Sequence, residues 1–184
     1  MKTVLVTGSS SGLGKSIIEK YASMGYNTII TYNNNMDGAE KLNSYIKEKY
    51  KVNSEFYKLD ITDEESINNL VTSLKKEYSN IDVLVNNAGI ALDNLYTNKS
   101  KSEFLKVVTT NLVGTFLVTK AFSSWMYECK TGVIINISSN NSIDSYYSES
   151  IDYDASKAGI NNMTHNFANI LSPYIRVNAV CPGW

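Results

Sequence analysis

A tyrosine and a lysine stand four residues apart in the stretch YDASK, at Tyr153 and Lys157. Near the start of a helix, this spacing places both side chains on one face. A free tyrosine titrates near pH 10 and exchanges protons poorly at neutrality, but a nearby ammonium favours the phenolate and lowers its pKa. The pair could therefore transfer protons. Since the chain has 13 tyrosines in 184 residues, a plain surface pair is the alternative.

The composition narrows the kinds of protein that could carry such a pair. The chain is 43% hydrophobic and 19% charged, as in an ordinary globular domain, and its net charge is -1. No basic cluster supports nucleic-acid binding, and no apolar run is long enough to predict a membrane span. Cys129 and Cys181 lack metal-ligand spacing, so we expect reduced thiols in the cytoplasm and no metal site. The N-terminus, MKTVLVTG, lacks the charged-then-apolar pattern of a signal peptide, so we expect none.

The chain alternates short apolar runs with longer amphipathic segments, as a single α/β domain over residues 1–184 would. The runs are rich in Val and Ile with little alternation, which is typical of strands buried on both faces. Repeated strand–helix–strand order predicts a doubly wound parallel sheet with helices on both faces. The predicted strands cover 3–7, 27–31, 55–59, 82–86, 133–137 and 175–180, and the predicted helices cover 13–24, 37–49, 63–78, 101–127 and 156–171.

Two of these helices carry a clear apolar stripe. In the first, the stripe consists of Leu13, Ile17, Tyr21 and Met24, and in the third of Ile67, Leu70, Val71 and Leu74. The third helix also has acids in its predicted first turn, at Asp63 and Glu64, with Thr62 as a possible N-cap.

The first strand runs into a glycine-rich turn, TGSSSGLGKS, with glycines at 8, 12 and 14. A strand, a glycine-rich turn and a helix start place backbone N–H groups where they can bind phosphate. The sequence is not a Walker loop, because Ser9 replaces its first glycine. A merely tight turn is the alternative.

The spacing G-x-x-x-G-x-G resembles the cofactor loop of the short-chain dehydrogenase/reductase family. Five further motifs agree in type and order: NNAG at 86–89, Asn111 in TTNLVGTF, INISS at 135–139, the Tyr153–Lys157 pair and CPG at 181–183. The resemblance covers all 184 residues and implies a Rossmann-like fold. Family members usually continue further, so we expect this chain to be truncated after the sixth strand, without the usual lid and last strand.

The resemblance implies catalytic roles for four residues. Tyr153 would be the general acid/base, and Lys157 would lower its pKa and hydrogen-bond the nicotinamide ribose. Ser139 rather than Ser138 would polarise the substrate carbonyl, although a serine at a strand end can also simply bind local backbone. Asn111 would hold a water that connects Lys157 to solvent, or it could be a satisfied core asparagine.

The resemblance also implies a set of cofactor-binding residues. Asp60 would contact the adenine, or it could be an acid at a helix N-terminus. Tyr146 and Tyr147 would shape the substrate mouth or lie at the surface. The implied cofactor residues are Gly8, Ser10, Ser11, Gly12, Leu13, Gly14, Lys15, Asn33, Asp60, Ile61, Asn87, Ala88, Gly89, Tyr153, Lys157, Pro182 and Gly183.

The segment after the second strand bears on which cofactor is used. NAD-preferring relatives tend to carry an acid there, whereas this chain has TYNNN at 31–35. With no carboxylate there to repel a 2′-phosphate, and with Lys15 in the glycine loop, NADP(H) is favoured over NAD(H).

The function implied is hydride transfer between NADP(H) and a small-molecule carbonyl or secondary alcohol. Within the family the chain looks most like the 3-oxoacyl-carrier-protein reductases, which points to 3-oxoacyl thioesters. Relatives commonly form homo-dimers or homo-tetramers through the segments at 101–127 and 156–171. The alternative is a truncated, non-catalytic nucleotide-binding sensor or partner subunit.

Overall fold

The computed structural model describes residues 1–144 and 146–183. Ser145, in the loop that holds Tyr146 and Tyr147, and Trp184, at which the sequence ends, lie outside the described residues.

Six parallel strands form one sheet in the order β3-β2-β1-β4-β5-β6. The strand order reverses between β1 and β4, which is where sheets of this kind open a binding crevice at the carboxyl ends of the strands. The strands are β1 Thr3–Val6, β2 Asn27–Tyr32, β3 Ser54–Lys58, β4 Val83–Asn86, β5 Gly132–Ile137 and β6 Ile175–Val180. The predicted doubly wound α/β fold is confirmed, with boundaries moved by one residue or so.

Helices cover both faces of the sheet. They are α1 Gly12–Ser23, α2 Met36–Tyr50, α3 Glu64–Glu77, α4 Lys101–Val108, α5 Gly114–Glu128 and α6 Ile151–Ile170. A π-helical turn, Thr109–Val113, joins α4 to α5, and a 3₁₀ turn, Asn140–Ser142, follows β5. None of the helices within the described ranges is both long and apolar enough to cross a bilayer.

Alternate residues of each strand point to two separate cores, as the strand period of two requires. Leu5, Ile29 and Leu84 face the core that α3, α5 and part of α6 cover. Val4, Val6 and Ile30 face the core that α1 and α2 cover. Burying a side chain of this size contributes about 1.5–3 kcal/mol, so the apolar runs hold the sheet between its two helical layers.

The predicted stripe of α1 is only partly confirmed, because Ile17 and Tyr21 pack against the core while partly buried, but its two outer members do not. Leu13 and Met24 are 49% and 58% exposed, whereas Gly14, Ile18 and Ala22 are the buried residues of this helix. A Cβ on Gly14 would lie 2.5 Å from Asn87 Nδ2 and 2.7 Å from the Gly8 carbonyl oxygen. The face with the smallest side chain is therefore the one that can approach the glycine loop.

The ends of three predicted helices also differ from expectation. Asp63 rather than Thr62 caps α3, because its Oδ1 accepts from the Glu65 N–H at 2.9 Å. The helix predicted over 101–127 is interrupted by the π turn. The last helix begins at Ile151 rather than 156, with Asp152 accepting from the Tyr153 N–H at 3.0 Å in its first turn. The predicted stripe of α3 is confirmed, since Ile67, Leu70 and Leu74 are buried.

Gly14→Ala tests the close approach of α1 to the loop. The new methyl would overlap backbone atoms, and overpacking of this kind costs up to about 3 kcal/mol, against a helix-propensity gain of about 1 kcal/mol. We expect urea unfolding to show a net loss of about 2 kcal/mol. Ser16→Ala, at an exposed position of the same helix, is the control and should leave stability unchanged; equal stability of both variants would contradict the packing.

Candidate active site

The glycine loop between β1 and α1 is held from beneath by hydroxyl groups. The Ser9 hydroxyl is fully buried and donates to the Val6 carbonyl at 2.8 Å, and the Ser9 N–H donates to the Thr31 carbonyl at 2.9 Å. The Gly8 N–H donates to Thr31 Oγ1 at 3.1 Å. Ser9, which rules out a Walker loop, is thus a structural residue that fixes the loop to β2.

Gly8 is required by its conformation and by its neighbour. Its φ is +64°, in the left-handed region, and a Cβ there would lie 3.0 Å from Ala88 Cα. Gly12 also has a positive φ, of +54°, with open space around it. The loop therefore turns tightly and leaves the exposed backbone between these glycines at the start of α1, where anions are favoured.

Thr7 links the end of β1 to the end of β4. Its hydroxyl accepts from the N–H groups of Asn87 and Ala88, at 2.9 and 3.0 Å. Asn87 Nδ2 returns bonds to the carbonyls of Thr7 and Gly8, at 2.9 and 3.3 Å. The NNAG segment is held against the glycine loop by these bonds. Neither Thr7 nor Thr31 is among the site residues predicted from the sequence, since a threonine at a strand end is the only signal for them.

A cleft of about 830 Å³ opens over these strand ends, within the range of cofactor pockets. It takes residues from the loops after β1, β2, β3 and β4 and from α4. Of the residues implied to bind a cofactor, it contains Gly8, Ser10, Ser11, Asn33, Asp60, Ile61, Asn87, Ala88 and Gly89. Four others, Leu13, Tyr153, Pro182 and Gly183, line a neighbouring cavity of about 310 Å³.

Gly12, Gly14 and Lys15 line neither cavity. Gly12 and Gly14 act through the turn and the helix approach described above. The Lys15 ammonium lies 3.8 Å from the Glu19 carboxylate on the exposed side of α1. Among the described residues, the cationic side chain that lines the cleft is that of Lys106, on α4.

Asp60 is a turn carboxylate that faces the cleft. Its Oδ1 accepts from the Thr62 hydroxyl at 2.7 Å and from the Thr62 N–H at 2.9 Å. These bonds, with a further one from Asn33, hold the pKa of Asp60 below its usual range. The group is therefore charged at neutral pH. Since Asp63 caps α3, Asp60 is not the acid of that helix terminus.

The smaller cavity brings Ser139 and Tyr153 together. Ser139 also caps the 3₁₀ turn, accepting from the Asn141 N–H at 3.2 Å, and it hydrogen-bonds the Tyr153 hydroxyl. The neighbouring Ser138 hydroxyl donates instead to the carbonyl of Lys157 at 3.0 Å. Both serines line the cavity, and Ser139 is the one that hydrogen-bonds Tyr153.

The pKa of Tyr153 moves in the direction opposite to the one expected. Burial raises it, and the nearby carboxylates of Asp154 and Asp93 add to the rise, whereas the bond to Ser139 lowers it. The Lys157 ammonium lies 5.4 Å from the ring centroid and donates to the Ile137 carbonyl at 2.7 Å. Desolvation is the largest influence on the Tyr153 pKa, so Tyr153 is a neutral phenol at pH 7.

Lys157 is a buried amine beside the Tyr153 ring and lines neither cavity. Only 4% of the residue is exposed, and burial lowers its pKa to about 8. A built Cβ on Gly89 would lie 3.8 Å from its Nζ. Glycine at this position therefore leaves the ammonium close to the floor of the larger cleft.

Asn111 is a fully buried residue whose amide is used by the protein itself. Its Oδ1 accepts from the Ile90 N–H at 2.8 Å, and its Nδ2 donates to the Ile90 carbonyl at 2.9 Å and to Ser156 Oγ at 3.1 Å. Both amide protons are thus engaged, as in the satisfied core asparagine considered above. The side chain ties the segment after β4 to α6.

Two further described features bear on the site. Tyr147 lines the smaller cavity, whereas Tyr146 is 89% exposed, so only the former is placed to shape the substrate mouth.

Both cysteines are free thiols. No three His, Cys, Asp or Glu side chains within residues 1–144 and 146–183 are grouped as metal ligands.

Comparison with known proteins gives the same architecture. A family model described as short chain dehydrogenase matches residues 2–184. The 3-oxoacyl-[acyl-carrier-protein] reductase FabG of Aquifex aeolicus is 38% identical over 184 residues, covering all of this chain and 73% of its own length. An NADP-dependent mannitol dehydrogenase of Alternaria alternata is 32% identical over 186 residues, covering all of this chain and 70% of its own.

Solved structures agree. A NAD⁺-bound xylitol dehydrogenase superposes with a TM-score of 0.94 at 31% identity, over all of this chain and 70% of its own. A putative short-chain alcohol dehydrogenase from Sinorhizobium meliloti 1021 superposes with a TM-score of 0.93 at 28% identity, over all of this chain and 72% of its own.

The sheet order, the glycine loop and the Ser–Tyr–Lys cluster together define a nucleotide-dependent oxidoreductase fold. The chain belongs to the short-chain dehydrogenase/reductase family. Like the rest of that family, it is an oxidoreductase that acts on a carbonyl or an alcohol.

The lowered pKa of Lys157 predicts how the free energy of unfolding changes with pH. In the unfolded chain the amine keeps its proton up to about pH 10.5, whereas in the folded chain it loses it near pH 8. Between these values the unfolded state binds more protons, so the free energy of unfolding rises with pH, by up to about 1.4 kcal/mol per unit. Lys157→Met lacks this contribution.

We therefore expect the stability of the wild type, relative to Lys157→Met, to increase from pH 7.5 to 9.5 in urea denaturation. Lys75→Met, at an exposed lysine, is the control whose difference from the wild type should stay constant. A constant difference for Lys157→Met as well would show that this amine is not buried.

Proposed function

We propose that the protein reduces carbonyl compounds with NADPH, and that 3-oxoacyl thioesters are among its substrates. The observation that carries the proposal is that Ser139 and Tyr153 line one cavity beside the glycine-loop cleft, with the buried Lys157 ammonium 5.4 Å from the Tyr153 ring centroid. The 38% identical relative named as a 3-oxoacyl-[acyl-carrier-protein] reductase supports the substrate class.

The residues present fit a dinucleotide cofactor. The turn at Gly8 and Gly12 would hold its pyrophosphate on backbone N–H groups, and Asp60 with Ile61 would contact its adenine. Lys157 would hydrogen-bond the ribose next to the nicotinamide. When bound, the cofactor supplies a hydride from the nicotinamide ring, which is chemistry that no side chain offers.

Tyr153 would donate its proton to the substrate oxygen. A neutral phenol is the form required of a proton donor, and the raised pKa keeps it in that form at pH 7. Such general acid catalysis is worth about 10²–10⁴-fold. Ser139 would hold the same oxygen by a second hydrogen bond and stabilise the negative charge that develops there.

Lys157 would restore the proton. With a pKa of about 8, its ammonium can release a proton near neutrality far more readily than an exposed lysine can. The Asn111 amide holds the segment after β4 in place, so we propose that any water connecting Lys157 to solvent is bound by other groups.

NADP(H) is the cofactor we propose. The loop after β2 contributes Asn33, Asn34 and Asn35 to the cleft, and Lys106 lines the same cleft. A phosphate on the 2′ oxygen would meet amides there rather than a carboxylate. One relative is named as NADP-dependent, whereas one superposed structure holds NAD⁺.

We further propose a cytoplasmic homo-dimer or homo-tetramer of a single domain over residues 1–184. Leu105, Phe116 and Ile170 lie exposed on α4, α5 and α6, the helices expected to meet across a two-fold axis. Burial of such side chains in an interface is favourable.

Tyr153→Phe tests the function. Without the hydroxyl proton, NADPH-dependent reduction of a 3-oxoacyl thioester should fall by about 10²–10⁴-fold, while NADPH binding, followed by fluorescence, stays at the wild-type affinity. Tyr146→Phe, at the exposed tyrosine, is the control. Full turnover by Tyr153→Phe would overturn the assignment. NADPH binding by the wild type with no turnover on a broad carbonyl panel would instead favour the non-catalytic nucleotide-binding protein.

The serine pair gives a second prediction. Ser139→Ala should lower kcat by about 10²-fold, as expected for one lost oxyanion donor. Ser138→Ala should lower the free energy of unfolding by about 1 kcal/mol and change kcat little, because its hydroxyl serves the Lys157 carbonyl. Loss of turnover in Ser138→Ala with wild-type turnover in Ser139→Ala would reverse the two roles.

The choice between NADPH and NADH gives a third prediction. Asn34→Asp adds a carboxylate to the loop after β2, and like charges about 4 Å apart repel by about 1–4 kcal/mol. The ratio of kcat/KM for NADPH to that for NADH should therefore fall at least about fivefold. Asn69→Asp, exposed on α3, controls for net charge. A wild-type preference for NADH, or an unchanged ratio in Asn34→Asp, would contradict the proposal.

A further inference from the structure

A buried ion pair joins the loop between β4 and α4 to the first turn of α6. Lys99 Nζ lies 3.0 Å from both carboxylate oxygens of Asp152, and the two side chains are 4% and 1% exposed. The other ion pairs between described residues lie on the surface. This pair therefore stands apart, and Asp152 is the residue that precedes Tyr153 in the chain.

On one side, the pair holds the backbone of Tyr153. Asp152 Oδ1 accepts from the Tyr153 N–H at 3.0 Å, which is one of the free N–H groups at a helix start. The N-cap residue Ser150 makes no side-chain bond to the helix backbone and donates to Asp154 Oδ1 at 2.9 Å instead. Asp152 is thus the side chain that fixes the start of α6 at Tyr153.

On the other side, the pair holds the facing wall of the cavity. The Lys99 ammonium also donates to the Leu92 carbonyl, next to Asp93, which lines the same cavity as Tyr153. The Asn94 N–H donates to the Glu149 carbonyl at 2.9 Å. A continuous set of contacts therefore runs from the Tyr153 backbone through Asp152 and Lys99 to the wall opposite.

Stability alone does not account for such a pair. The desolvation of two buried charges offsets most of their attraction, and well-packed apolar residues of similar volume often serve as well or better. A fixed geometry is what the charged pair adds, because both carboxylate oxygens, the ammonium and the bonded backbone groups have defined directions.

We propose that Lys99 and Asp152 are positioning residues that set the distance between the Tyr153 hydroxyl and the wall carrying Asp93, and so align Tyr153 for proton transfer. The proposal rests on the proposed reductase function for its effect on turnover. A misplacement of about 1 Å in a catalytic group can cost about 10²-fold in rate, so the pair should matter without touching the substrate.

The test separates alignment from folding by replacing both charges with apolar side chains. Lys99→Met with Asp152→Leu leaves no unpaired buried charge, so the double variant should keep its unfolding temperature and its affinity for NADPH. We expect kcat for carbonyl reduction to fall about 10- to 100-fold with a smaller change in KM. Lys75→Met, which removes an exposed ion pair, is the control.

A second readout does not need turnover. 3-Fluorotyrosine placed at position 153 reports its own titration by ¹⁹F NMR. In the double variant the hydroxyl should become more exposed, and its titration midpoint should fall, because burial is what chiefly raises the pKa of Tyr153. Ser139, Asp93, Tyr147, Asp154 and Lys157 lie around Tyr153, with Glu149 bonded to Tyr147 and Cys181 near Lys157. None of these residues is changed in the double variant.

A stable double variant with lowered kcat and a lowered midpoint supports the proposal. A stable double variant with wild-type kcat and midpoint would overturn it, because the pair would then be structural only. If the double variant does not fold, Asp152→Asn is used in its place. This variant keeps an oxygen for the Tyr153 N–H but loses the charge that pairs with Lys99. In Asp152→Asn we also expect a lowered kcat and a lowered titration midpoint. A wild-type kcat with a wild-type midpoint would overturn the proposal.

The readouts also distinguish this proposal from the proposed function. A wild type that reduces no carbonyl compound would remove the reductase assignment, while the ¹⁹F midpoint would still measure whether the pair positions Tyr153.

Discussion

The ends of β1 and β4 lie so close together that only small residues fit between them, and the site depends on that approach. A Cβ on Gly8 would lie 3.0 Å from Ala88 Cα, and one on Gly14 would lie 2.5 Å from Asn87 Nδ2. The Thr7 hydroxyl joins the two strand ends by accepting from two successive N–H groups. The cleft opens at this point because the strand order reverses there, so the connections after β1 and β4 run to opposite faces of the sheet.

Burial shifts the pKa values of Tyr153 and Lys157 more than nearby charges do. Tyr153 and Lys157 are both shifted toward their neutral forms, the tyrosine upward and the lysine down to about 8. Their pKa values are therefore further apart than those of the free side chains, and the lysine becomes the stronger acid of the two. The Lys157 ammonium would thus readily give a proton to the phenolate that Tyr153 leaves after donating its own.

Much of the fold could be predicted from the sequence, because buried parallel strands are marked by runs such as TVLV and VLVN. The buried face of α1 could not, since it is decided by the approach of Gly14 to a loop far along the chain. The π turn at Asn111 likewise depends on its bonds to Ile90 and Ser156. The site motifs followed from spacing and family resemblance, whereas Lys99 and Asp152 lie 53 residues apart and share no local pattern.

The central claim is that Tyr153 gives a proton to a carbonyl oxygen as hydride is transferred. Single-turnover oxidation of NADPH, dideuterated at nicotinamide C4, by a 3-oxoacyl thioester measures this directly in H₂O and in D₂O. If the account is correct, the rate falls with the deuterated cofactor and falls again in D₂O, and Tyr153→Phe abolishes the solvent effect on any residual rate. NADPH that binds but is never oxidised, or a solvent effect that persists in Tyr153→Phe, would contradict it.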